Sequence, residues 1–134
     1  MAAITVTSTG VKPIESAGGH AYSRGVAGEA LSAGDPVYLS ADRKYMKVDP
    51  TDQNKVAIVG IAMNTVSTDQ RLEIMTSGTV DLGSALSDAV CVVVAGDGTL
   101  EEIADLATGE YIVVVGFSVG GYLLLNLLNL GDTA

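Results

Sequence analysis

The chain has no tryptophan, one phenylalanine, one cysteine, one histidine and three prolines in 134 residues. A single cysteine excludes an internal disulfide, and the place of Cys91 in the apolar run 90–94 marks it as a small core residue rather than a nucleophile. So few histidines and cysteines exclude a structural zinc site. The one histidine, His20, lies in a Gly-Gly-His-Ala stretch and reads as an exposed surface residue, because no orienting partner for it can be identified. Positive charge is also scarce: seven Lys and Arg against 16 Asp and Glu leave a formal net charge of -9. Such a chain repels phosphate backbones, which argues against direct nucleic-acid binding. Gly96-Asp97-Gly98 is not followed by the Gly-Lys-Ser/Thr of a phosphate loop. The apolar runs are too short for a bilayer, and the N-terminus lacks the basic and long apolar regions of a signal peptide. The expectation is synthesis in a cytoplasm without membrane attachment.

What the chain has in quantity is small and branched apolar residues and glycine: 48% is hydrophobic, and 16 residues are glycine. Its length suits one compact domain with a core of its own. Val, Ile, Leu and Ala punctuated by glycine point to strands and tight turns, hence to an all-β fold. Gly34-Asp35-Pro36 is a turn leading into Val37-Tyr38-Leu39, and Pro36 stands at a strand start, where a missing backbone donor is tolerated. Asp42-Arg43-Lys44 is a polar turn, after which residues 45–48 return. Residues 49–54 are rich in turn formers, and residues 56–62 form a buried strand. Over residues 71–82 Leu72, Ile74, Thr76, Gly78, Val80 and Leu82 alternate with Glu73, Met75, Ser77, Thr79 and Asp81, the period of a half-buried strand. Gly78 marks a bend where that strand changes sheet.

A second round of the same plan begins 55 positions on. Ala30, Leu31, Ser32, Val37 and Asp42 meet Ala85, Leu86, Ser87, Val92 and Asp97; one residue out of step, Val59-Gly60 meets Val115-Gly116. The expectation is a small β-barrel or sandwich built from two degenerate β repeats, about residues 29–82 and 85–130, within a single β domain 29–134. Gly96-Asp97-Gly98-Thr99 reads as a hairpin tip. Residues 101–107 also fit a helical turn, with Ile103, Leu106 and Ala107 on one face. Residues 122–130 fit a helix by leucine content, but they occupy the place of residues 71–82 in the first round, and a strand is expected. Residues 1–28, rich in Ser, Thr, Gly and Ala, read as an extended N-terminal arm with little core of its own, interrupted by the flexible break 16–19.

The order Gly28-Glu-Ala-Leu-Ser-Ala-Gly-Asp-Pro-Val-Tyr-Leu39, then Val59-Gly-Ile-Ala62, then Glu73-Ile-Met-Thr-Ser-Gly-Thr-Val80, resembles the capsid cement or head decoration proteins of tailed bacteriophages over roughly residues 20–130. The resemblance implies a non-enzymatic protein without cofactor, metal or catalytic residues. It implies binding to the outer surface of an expanded icosahedral head, where the protein bridges major capsid protein subunits as a homotrimer. Ile4, Val6, Val11, Ile14 and Tyr22 of the arm, with Leu124 and Leu128, are then the expected capsid or subunit contacts. The acidic loops 49–52 and 101–105 would face solvent or basic capsid patches. Deleting residues 2–24 is expected to leave a folded body that binds capsids less well. Alternatives are another phage structural part, such as a head-fibre base or tail protein, and a biotin-carrier-like β domain. The last rests on Tyr45-Met46-Lys47-Val48, where Lys47 falls in a return strand rather than on a turn.

Overall fold

The computed structural model describes residues 6–14, 21–83, 91–94, 98–103 and 109–133. Their fold is mainly β, in two antiparallel sheets packed as a sandwich. Eleven strands are described: β1 (Val11–Pro13), β2 (Ala21–Val26), β3 (Pro36–Leu39), β4 (Tyr45–Lys47), β5 (Ile58–Ala62), β6 (Arg71–Ser77), β7 (Thr79–Leu82), β8 (Cys91–Val94), β9 (Leu100–Glu102), β10 (Tyr111–Val119) and β11 (Tyr122–Thr133). One sheet runs β2-β6-β5-β3-β4 and the other β1-β7-β11-β10-β8-β9. The first sheet curls until Ala27 meets Tyr45 through a single parallel bridge, but neither sheet is a closed barrel.

Apart from β1, the second sheet repeats the strand order of the first. β7, β11, β10, β8 and β9 stand where β2, β6, β5, β3 and β4 stand. The pairing registers repeat too. Val37↔Lys47 and Tyr38↔Met46 become Val92↔Glu102 and Val93↔Glu101. Pro36↔Ile61 and Val37↔Gly60 become Cys91↔Phe117 and Val92↔Gly116, each followed by a register shift. A bulge kept at both glycines has a steric cause. A side-chain carbon on Gly60 would lie 2.6 Å from the Met75 carbonyl oxygen, and one on Gly116 would strike that of Leu124.

The repeat boundaries differ from those expected. The first unit spans β2 to β6 and the second β7 to β11, so the seam is Gly78, not residues 83–84. Gly78, at φ +110°, ends β6 in one sheet and lets β7 start in the other. Residues 11–13 and 21–26, expected as an arm with little core of its own, are strands of the two sheets. β2 pairs with β6 from Ala21↔Ser77 to Val26↔Arg71, and β1 pairs with β7. Residues 122–130 are strand, as the repeat requires. Glu101 and Glu102 belong to β9, whereas 104–108, the break 16–19 and residues 96 and 97 of the expected tip lie outside the described residues.

One core lies between the sheets and a second on the far face of the first. Tyr38, Val48, Val56, Ile61 and Met75 of the first unit meet Val80, Leu82, Val92, Val94, Val113, Val115, Leu123 and Leu125 of the second. On the other face of the first sheet, Val37, Ala62, Leu72 and Ile74 pack with Ala27, Leu31 and Val66. That smaller core is covered by the loops 27–35 and 63–70, clipped together where Leu31 and Val66 exchange backbone hydrogen bonds of 3.0 and 2.8 Å. Met75, expected on a solvent side, is therefore fully buried: its strand lies between two cores rather than between core and water.

The two units present opposite faces to the shared core. Ile61 and Met75 point into it at 0% exposure, while their equivalents Phe117 and Leu124 point outward at 41% and 42%. The loop lengths agree with this. Between β5 and β6 the chain takes eight residues to cover its face; between β10 and β11 only Gly120 and Gly121 remain, because the first sheet itself covers that face.

Candidate interaction surfaces

Among the described residues, no group of three or more His, Cys, Asp and Glu is placed to hold a metal ion, and His20 lies outside them. Cys91 is half-buried on the outer face of the second sheet rather than in the core, and desolvation pushes its thiol pKa up, away from the reactive thiolate. Lys47 stands in β4, paired with Val37, and its backbone N–H donates to Glu29 Oε2 at 2.9 Å. The turn of that hairpin is formed by residues 41–43, with Arg43 at φ +61°. Lys47 is thus three residues or more from the tip that a modifying ligase would need. Among the described residues, no helix is long and apolar enough to cross a membrane.

The acidic loops separate into two cases. Asp49 accepts hydrogen bonds from the Thr51 hydroxyl at 2.6 Å and the Thr51 N–H at 2.9 Å, and the hydroxyl chiefly holds its carboxyl below the usual pKa. Asp52 caps the 3-10 turn Gln53–Lys55 by accepting from the Asn54 N–H. Both are turn-forming carboxylates at the surface. Glu101, expected in a solvent-facing loop, is instead 1% exposed in β9, opposite Val93. A lowered folded-state pKa stabilises the fold above the unfolded value and ceases to do so as pH falls through the folded one. Thr51→Val is therefore expected to lose a small increment of stability at pH 7, with the difference from the parent vanishing in strong acid. Urea unfolding at the two pH values checks this.

The residues expected to make contacts fall into three groups. Val6 and Val11 are partly buried against the protein's own larger core. Val6 lies on Gly34, whose φ of +99° and missing side chain make room for it, so the start of the described chain is fastened to the Gly34-Asp35-Pro36 turn. That turn is itself held by hydrogen bonds of 2.7 and 2.8 Å between Gly34, Asp35 and Ala62. Ile14 is half-buried, and its N–H donates to the Thr79 carbonyl at 2.9 Å. Ile4 lies outside the described residues; Leu128 pairs with Val114 in the β10–β11 ladder.

Tyr22 and Leu124 are exposed, and each marks a different surface. Tyr22 lies on β2, the terminal strand of the first sheet, and β1 is the terminal strand of the second. A cleft of about 440 Å³ is lined by residues of both, among them Val11, Lys12, Tyr22, Arg24 and Glu73, and by Met63. Arg24 is held across β2–β6 by Glu73 at 3.4 Å. Leu124 belongs to a row that sequence patterning did not single out as a unit. Cys91, Phe117, Leu124 and Thr79 are successive partners across β8, β10, β11 and β7, with Val119 paired to Tyr122 beside them. The signal was available in the second-round equivalence of Phe117 with Ile61, but not the knowledge that the faces are reversed. No family model matches this chain, and no curated protein matches it.

Proposed function

We propose that this is a non-enzymatic capsid decoration protein of a tailed bacteriophage, which binds the outside of the expanded head and stabilises it by bridging major capsid protein subunits. The sequence resemblance across residues 20–130 supports the reading, and so does the form of the molecule. The observation that carries it is the cleft between β1 and β2, the terminal strands of the two sheets. Both strands end the order of their sheets, and the cleft between them holds an exposed tyrosine, Lys12 and the Arg24–Glu73 ion pair. In this reading an extended segment of a partner adds beside β1, with the cleft taking its side chains. A site completed only by neighbouring shell subunits in the expanded arrangement makes binding select that state and raises the free energy of opening it.

The protein is expected to co-sediment with expanded heads and not with unexpanded ones, and to raise the temperature at which expanded heads release DNA. Tyr22→Asp should reduce co-sedimentation tenfold or more, about 1.4 kcal/mol of binding, without changing the thermal unfolding of the free protein. Absence of the protein from the pellet with expanded heads would refute the reading.

A further inference from the structure

We propose that the pocket lined by β4, the segment 49–55 and Gly98 binds a small carboxylate, held by the ammonium groups of Lys47 and Lys55 and the hydroxyl of Tyr38. This goes beyond the proposed function, because the pocket shares no lining residue with the cleft beside Tyr22.

Three observations carry it. The first is a buried tyrosine. Tyr38 is 6% exposed, packs in the larger core and lines the pocket. Among the described residues, no group hydrogen-bonds to its hydroxyl. A tyrosine placed this way presents its polar end where a partner from outside can reach it. The second is a pair of cations. The chain has seven Lys and Arg, and two of them, the half-buried Lys47 and Lys55, line this one pocket. Among the described residues neither is ion-paired, whereas Lys44 takes Asp69 and Arg24 takes Glu73. The stem of Lys47 also lies on Gly98, where a side-chain carbon would come within 2.8 to 3.1 Å of its Cε, Cδ and Cγ. A side chain already held loses less freedom on binding. The third is that the carboxylates of the pocket are engaged. Glu29 Oε2 accepts the Lys47 backbone N–H, and Asp49 Oδ1 accepts from the Thr51 hydroxyl and N–H.

These groups select the ligand. Two ammonium donors and one hydroxyl suit the two oxygens of a carboxylate, through charge-assisted hydrogen bonds. A phosphate dianion would be opposed more strongly by Glu29 and Asp49. Met46 and Val48 offer apolar surface to a short aliphatic body. The volume of about 220 Å³ lies below the ~300–1,000 Å³ usual for drug-sized ligands, so that body is small. A free organic acid and a glutamate side chain of another protein both supply this chemistry.

Titration of the isolated protein with sodium butyrate, followed by amide NMR shifts at constant ionic strength, tests the proposal. The amides of Lys47, Asp49 and Lys55 should move saturably, with a dissociation constant of about 1–10 mM. Sodium phosphate at the same ionic strength should produce no saturable shift. Tyr38→Phe should weaken butyrate binding about tenfold, the worth of one hydrogen bond to a charged group. Lys55→Gln should weaken it at least as much, and it decides the matter if Tyr38→Phe folds poorly. A blocked glutamate peptide, run against its glutamine counterpart, separates the two sources. Tighter binding of the glutamate peptide than of butyrate assigns the site to a protein side chain, and the reverse assigns it to a free acid. Absence of saturable shifts with both butyrate and the glutamate peptide would overturn the proposal. So would phosphate binding as tightly as butyrate, or Tyr38→Phe and Lys55→Gln proteins that bind like the parent. No capsid enters the measurement, so its failure leaves the decoration reading standing, and capsid co-sedimentation tests that reading alone.

Discussion

A chain beginning at residue 27 is expected not to fold. Such a deletion removes β1 and β2, and with them the edge of each sheet. It strips the pairing of Ala21 to Val26 from β6 and that of Val11 to Pro13 from β7. It also takes away Val6 and Val11, which lie against the larger core formed in part by Val80 and Leu82. A fully buried aliphatic side chain contributes about 1.5–3 kcal/mol, and a domain of this kind is stable by about 5–15 kcal/mol. Uncovering the flanks of Ile74, Met75, Val80 and Leu82 together therefore consumes most or all of that stability. Urea titration followed by circular dichroism should show no cooperative transition. The shorter deletion of residues 2–24 also removes β1 and most of β2 and should behave similarly, contrary to the folded body expected from the sequence. A deletion of residues 2–5 leaves every described strand in place and should unfold cooperatively. If the chain from residue 27 unfolded with the parent's midpoint, β1 and β2 would be appendages and the two-layer account of the core would be wrong.

Gly116→Ala is expected to destabilise the protein by about 3 kcal/mol or more, because the added methyl meets backbone, which cannot move aside as a flexible side chain can. The carbonyl of Leu124 occupies the space, and the β10–β11 ladder would have to open to relieve the clash. At roughly 4 °C per kcal/mol, the unfolding midpoint should fall by about 12 °C. Gly60→Ala, at the equivalent bulge against Met75, should behave alike. Gly120→Ala is the contrast: φ is +61° there but nothing lies within 4 Å, so the change costs only about 1–2 kcal/mol of backbone strain. Equal midpoints for Gly116→Ala and Gly120→Ala in a thermal scan would contradict the steric origin of the paired bulges.

Much of this fold could be read from local chemistry. The Gly34-Asp35-Pro36 turn, the polar tip before Tyr45 and the change of sheet at Gly78 follow from residues whose backbone preferences leave few choices. The strand at residues 122–130 was decided against leucine's helical preference by its place in the second round. The strand β2 was harder to see. Every residue of Ala21–Val26 is exposed or half-exposed, and an edge strand of this kind is held by backbone pairing that leaves little hydrophobic pattern. Reversal of the faces was not legible at all. A period of two separates the sides of a strand but does not say which side a second sheet will cover. For the same reason Glu101 looked like a loop carboxylate, though its strand carries it inside, and Met75 looked solvent-facing. The contact surfaces were half legible: Tyr22 and Leu124 are apolar residues left outside, but their neighbours across the ladder are set by register, not by proximity along the chain.

Stacking two like units in the same sense, rather than back to back, gives the molecule unlike ends. One end is sealed by the clipped loops around Leu31 and Val66; the other is the bare hairpin of Phe117 and Leu124. A body made this way has a top and a bottom. Were it anchored by its β1–β2 flank, as proposed, it would sit on a surface in only one orientation, and every copy in a layer would hold the same end in the same direction.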